Sequence, residues 1–163
     1  MEALVRIMTP LTPIQFQCLT WIKQIIKERD LLWLKPSYVM AHVRIESGWD
    51  PTIKASDYAT TGSIGLMQVT AATAADMAQK YKLGTLDQTS PYDSLLTGAM
   101  VLADYRVYLM QKWGFRTSIL YRPVCVAYNE GPGNVLKGQP DTAYWLKWNA
   151  SQHGYSFVDG APA

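Results

Sequence analysis

The sequence predicts an all-α domain, on three observations. Apolar residues recur at helical spacing in several separate stretches. Thr12-Pro13, Lys35-Pro36 and Ser90-Pro91 stand where helices start, and Gly48, Gly84 and Gly114 stand where they end. No run alternates with the period that a half-buried strand requires. The chain has 163 residues, 48% of them hydrophobic, which suits one domain with a core rather than two. Residues 1–163 are read as a single unit with a loose tail from about His153, where Gly, Ser and Ala accumulate.

The first helix starts with Thr12 as N-cap and Pro13 at its first position. Ile14, Cys18, Trp21, Ile22 and Ile25 form its apolar face, opposite Lys23, Lys27 and Glu28. The second helix runs from Pro36 to Gly48, with Val39, Met40 and Val43 on one face. Extending that face reaches Glu46 and Ser47, so a carboxyl falls on the side expected to meet the core. Burial disfavours the charged form of a carboxyl, and one still protonated near neutral pH is what a general acid needs. The alternative is a slight rotation that leaves Glu46 at a wet helix end.

Residues 49–64 read as loop, with Asp50-Pro51 and the polar stretch from Asp57 to Ser63 supplying turn chemistry. Gly65-Leu66-Met67-Gln68-Val69 is a short apolar run broken by one amide. Gln68 can orient a sugar hydroxyl or acetamido group, or satisfy the loop's own backbone. Thr70 caps a helix from Ala71 to about Tyr81, closed by Lys82-Leu83-Gly84. Ser90-Pro91 opens a longer helix with Leu96, Ala99, Met100, Ala103, Val107 and Met110 as its core stripe. Arg122-Pro123 starts a short helix through Tyr128, stopped by a sharp turn at 129–133. The last helix begins at Asp141 and carries Tyr144, Trp145 and Trp148.

The composition excludes several function classes. A net charge of +2, with no basic run interleaved with aromatics, does not suggest nucleic acid. No stretch approaches the roughly 18 apolar residues of a membrane span. The two cysteines, Cys18 and Cys125, define no metal spacing. They read as buried reduced thiols, with a disulfide as the alternative. His42 and His153 are isolated, and His42 reads as structural or partly exposed. No metal and no cofactor is expected. Six Trp and ten Tyr supply ring faces that suit a core or a sugar platform. The first residues lack a basic n-region followed by a long apolar run, so no signal peptide is expected.

Three stretches, Glu46-Ser47-Gly48-Trp49-Asp50-Pro51, Gly65-Leu66-Met67-Gln68-Val69 and Ala127-Tyr128-Asn129-Glu130-Gly131-Pro132-Gly133, together resemble the motifs of the SLT-type lytic transglycosylases. They stand in that family's order and spacing, and with their intervening helices cover residues 36–148. The resemblance implies a lysozyme-like helical fold and cleavage of bacterial peptidoglycan. It implies Glu46 as the single catalytic acid and base. It also implies that Ser47, Met67, Gln68, Tyr128 and Asn129 meet the substrate. Glu130 stands where the family more often has a small residue, and reads as a solvated turn residue or a second acid. Asp141 stands in for a carboxylate that many members carry before the last helix.

Most glycosidases set two carboxylates across the scissile bond, and Asp50, Asp57 and Glu130 are the candidates for a second, each in turn chemistry that explains it without catalysis. The family implied here works with one, because the sugar's own 6-hydroxyl attacks and leaves a 1,6-anhydromuramyl end. The partners implied are peptidoglycan glycan strands, and the chain is expected to act as a monomer. Its place of action would be the bacterial wall, reached through phage lysis, a phage tail or a secretion machine, and a phage or prophage origin fits. Two rivals are a goose-type lysozyme-like hydrolase and a non-catalytic wall-binding component of a phage tail or secretion machine.

Overall fold

The computed structural model describes residues 10–56, 58–114, 121–138 and 142–160. Among them are eight α-helices and no strand, the all-α class that the periodicity predicts. Helix α1, Pro13–Glu28, starts with a reciprocal cap. The Gln15 N–H donates to Thr12 Oγ1, and the Thr12 N–H donates to Gln15 Oε1. Helix α2, Pro36–Ser47, has Pro36 in its first turn and ends at Gly48 in the left-handed region, φ 58°. Helix α3, Tyr58–Thr61, is a single turn inside the stretch expected to be loop. Helix α4, Ala71–Tyr81, is capped by Thr70, whose hydroxyl accepts the Thr73 N–H, and closes at a left-handed Lys82.

Helix α5, Pro91–Trp113, is capped by Ser90 and terminated by Gly114. A one-sided stripe was the expectation here, but every residue from Ser94 to Ala103 is buried. A helix that is covered all round lies inside the domain rather than on its surface. The 94–103 stretch of α5 does so, with α1, α4 and two later helices packed about the helix. Val107, placed on the core stripe by periodicity, is instead exposed, and Leu109 takes the buried position.

Helix α6, Tyr121–Glu130, is longer than expected at both ends. Gly131, at φ 83°, breaks it for one residue only, and Pro132 starts a further helix, α7, Pro132–Leu136. The turn expected at 129–133 is therefore a corner between two helices. Helix α8, Thr142–Tyr155, packs along α2 more extensively than any other pair of helices described.

Residues 153–160 are not the loose tail expected from their composition. α8 continues to Tyr155, and a 3₁₀ turn follows at Ser156–Val158. Tyr155 and Val158 are buried and anchor it. Asp159 then does what the start of α2 lacks. Lys35, the N-cap, gives no side-chain bond. The Asp159 carboxylate instead accepts the Ser37 N–H and the Ser37 hydroxyl, both at 2.8 Å. A negative group at a helix N-terminus answers both the open N–H groups and the helix dipole.

Cys18 and Cys125 are both buried and free. Burial pushes the Cys18 thiol up to about 12. It also pushes the Cys125 thiol up, with the charge of Glu46 adding in the same direction. A thiol is reactive as its thiolate. Neither is therefore expected to react with an aromatic disulfide reagent at mildly alkaline pH in the native protein, and both should react once it is unfolded. Reaction of one thiol equivalent without unfolding would contradict this burial.

Candidate active site

Glu46 sits in the last turn of α2, and the two placements the sequence left open are combined there. The residue is half-buried, neither core nor surface. Its Oε1 accepts a hydrogen bond from the Tyr144 hydroxyl of α8 at 2.5 Å. Among the described residues no cation pairs with it; the one salt bridge there joins Lys80 to Asp104. Burial raises its pKa, and the Tyr144 bond offsets part of that rise. Desolvation is the larger effect, so the site favours a neutral carboxylic acid.

The groups around Glu46 are themselves neutral acids. Tyr144 of α8 and Tyr128 of α6 are both held well above the usual tyrosine range, by burial first and then by the charge of Glu46. Each therefore stays a hydroxyl donor. The Tyr144 hydroxyl also lies 3.0 Å from His42 Nδ1. His42 is fully buried one turn before Glu46, and burial lowers its pKa to about 3, so the ring is neutral. It is packed against the rings of Tyr128 and Trp148, with centroids 4.8 and 5.8 Å away.

The residues expected to meet substrate divide into three groups. Ser47 is buried and used locally: its hydroxyl donates to the Val43 carbonyl and accepts the Trp49 N–H. Met67 is fully buried, with its side chain against Gly98 of α5. Both side chains are packed into the scaffold around Glu46 and the 65–69 loop. The second group holds the loop at 65–69 in place. Gln68, itself left-handed at φ 48°, gives its side-chain amide N–H groups to the Ile53 and Gly65 carbonyls. Its donors are thus spent on loop backbone, and its carbonyl oxygen is the part left to meet a ligand. Tyr128 donates to the Met67 carbonyl at 2.7 Å, while the Met67 N–H donates to Ser94 Oγ of α5 at 3.1 Å. The loop is thereby fastened to α5 and α6 at one residue. Third, Asn129 is exposed in the last turn of α6.

Glu130 ends α6 half-buried, and its Oε1 is shielded from water with no hydrogen-bond partner among the described residues. Asp57 and Asp141 lie outside the described residues. No group of three His, Cys, Asp or Glu side chains among the described residues is placed to hold a metal. None of the described helices is long and apolar enough to cross a membrane. A cavity of about 530 Å³ between α4 and the segment 84–89 is lined by none of the groups around Glu46.

Tyr144 and His42 are the members of this cluster that sequence reading did not assign to it. A Tyr beside two Trp reads as a packing stripe. The available signal was His42 itself, four residues before Glu46 on the same helical face, between the apolar Val39 and Val43.

The sequence profile described as Transglycosylase SLT domain matches residues 23–150. Among solved structures, an inactive variant of the lytic transglycosylase Slt from Pseudomonas aeruginosa superposes with a TM-score of 0.58 at 20% identity, over 86% of this chain and 22% of that one. The 70 kDa soluble lytic transglycosylase from Escherichia coli gives 0.55 at 23% identity, again over 86% and 22%. A complex of the 70-kDa soluble lytic transglycosylase with bulgecin A gives 0.58 at 22% identity, over 90% and 23%. At such identities the likeness is one of fold, and this chain spans less than a quarter of the length of each of those chains. None of the curated proteins matches the sequence.

Proposed function

Because the chain belongs to the transglycosylase SLT domain family, we propose that it cleaves the glycan strands of bacterial peptidoglycan with Glu46 as its acid and base. One observation carries this reading. Glu46 is a shielded carboxyl at a helix end, bonded to a neutral hydroxyl and, among the described residues, to no cation, so it holds its proton unusually well. Glu46 gives that proton to the oxygen joining N-acetylmuramic acid to N-acetylglucosamine, and the bond from the muramic C1 to that oxygen breaks. The 2-acetamido oxygen captures C1. The 6-hydroxyl of the same sugar then displaces it and returns its proton to the Glu46 carboxylate. The product is a 1,6-anhydro sugar, and no water is consumed.

One carboxyl suffices for this sequence because each proton it gives it takes back. A two-carboxylate hydrolase would need a second ionised group facing the same bond. Asp50 and Glu130 are the candidates the described residues offer: Asp50 is exposed and its carboxylate accepts from Thr52, and Glu130 has no bond to Glu46. The substrate, and with it a place of action at the bacterial wall, belongs to the same proposal.

The deciding experiment is mass spectrometry of muropeptides released from purified walls. Anhydromuropeptides are expected as the main product, and Glu130→Gln is expected to lower the rate only slightly. Reducing-end products, together with a Glu130→Gln variant as inactive as Glu46→Gln, would make the enzyme a two-carboxylate hydrolase.

A further inference from the structure

We infer that His42 is a positioning residue for Glu46, acting through the Tyr144 hydroxyl to fix which oxygen of the acid carries the transferable proton. The inference rests on the proposed role of Glu46. It begins from an anomaly in the core. His42 is fully buried among aromatic rings, where an apolar side chain would pack without any polar penalty. A histidine retained only for packing would have both ring nitrogens satisfied. Here Nε2 is buried with no partner among the described residues, while Nδ1 meets Tyr144 Oη at 3.0 Å. The ring's one polar contact is therefore with the hydroxyl that bonds Glu46.

Counting protons gives the direction. The Tyr144 hydroxyl has one hydrogen to share between His42 Nδ1 and Glu46 Oε1, the two groups it meets within this cluster. If the hydrogen points to Glu46, His42 must donate from Nδ1 and leave Nε2 bare. If it points to His42, Nε2 must carry the ring hydrogen and bury an N–H that has nothing to bond. An orphaned buried N–H is the rarer and costlier defect. The first arrangement wins: Nδ1–H donates to Tyr144, and Tyr144 donates to Glu46 Oε1. An Oε1 that accepts this bond cannot also be the protonated oxygen donating to Tyr144. The acid's proton is consequently held on Oε2, which has no hydrogen-bond partner among the described residues.

The relay is neutral throughout. Burial keeps His42 uncharged, so it strengthens the Tyr144 donor without bringing a cation beside the acid. The other titratable groups facing Glu46 are Cys125 and Tyr128 of α6 and Tyr144 of α8, with Tyr105 of α5 behind Tyr128. Burial raises the pKa of all four, so none gains charge while a carboxyl titrates.

The test compares pH–rate profiles of kcat/KM on purified walls for the wild type, His42→Leu, His42→Asn, Tyr144→Phe and the double variant His42→Leu/Tyr144→Phe. His42→Leu is expected to lower kcat about tenfold, the scale of one supporting hydrogen bond, with KM little changed. Its Tyr144 donates more weakly, so the Glu46 carboxylate is less stabilised and the alkaline limb moves to higher pH. His42→Asn, whose side-chain amide can donate where Nδ1 did, should restore part of both. The double variant should be no worse than Tyr144→Phe alone, the non-additivity of two groups acting in series. A folded His42→Leu with wild-type kcat and an unmoved limb, or additive losses, overturns the inference. If His42→Leu does not fold, ring ¹⁵N shifts of wild-type His42 decide it: a neutral ring protonated at Nδ1 supports the inference, and protonation at Nε2 overturns it. Activity surviving in Glu46→Gln would overturn the proposed role of Glu46 itself, and an inactive Glu46→Gln beside a wild-type-like His42→Leu would overturn only this inference.

Discussion

Glu46→Gln is expected to fold and to lose wall-clearing activity by at least about 10²-fold, the lower end of what general acid–base catalysis contributes. The amide keeps an oxygen to accept the Tyr144 hydroxyl, so the link between α2 and α8 survives. It has no proton to give to a leaving oxygen. Stability is expected to move the other way. Burial raises the Glu46 pKa in the folded chain above the ordinary 4.5. Between that value and the raised one, the folded state holds more protons than the unfolded state, so stability falls as pH rises through the window. Glutamine has no such loss. At neutral pH the variant should be at least as stable as the wild type, and the difference should vanish below the unfolded carboxyl's pKa. Thermal melts at neutral and acid pH, beside turbidity clearing of purified walls, measure both effects. A variant that clears walls at the wild-type rate would end the assignment of Glu46.

Gly65→Ala is expected to lower stability by at least about 2 kcal/mol, combining left-handed strain with overpacking. Gly65 has φ 82°, and an added Cβ would lie 2.1 Å from the backbone oxygen of Gln88 and 3.1 Å from Ser94 Oγ. A backbone atom cannot rotate aside, so the loop must lift. Lifting it draws Met67 away from Ser94 and Tyr128, and activity should fall with stability. Gly62 is the internal control, with φ 68° and open space around its Cβ position. Gly62→Ala should show strain alone, about 1 kcal/mol. Equal urea midpoints for the two variants would contradict the clash.

Much of the fold was legible because helix starts are local. Thr12, Thr70 and Ser90 announce α1, α4 and α5 through side chains that bond amides three residues on. The start of α2 is different, since its cap is Asp159, far away in sequence, and no local pattern carries that. The tail's composition misleads for a related reason: small residues dominate it, while two buried anchors, Tyr155 and Val158, decide its structure. In the candidate site, Glu46 was legible as a carboxyl on an apolar face. The placement of its neighbours was not. Ser47 and Met67 stand beside the key positions in sequence yet turn inward, and Tyr144 arrives from another helix through a contact that only folding creates.

Ser37 and its cap Asp159 are separated by 122 positions in the chain. A ribosome therefore releases α2 long before the group that caps it and the helix that covers it. Until α8 emerges, Ala41 lacks Trp148 and His42 lacks Tyr144. Glu46 likewise lacks the Tyr144 hydroxyl, and only the α6 side of its surroundings, Cys125 and Tyr128, can be in place. The nascent chain thus carries Glu46 without its α8 partner, and the cluster around this carboxyl closes only when α8 is made.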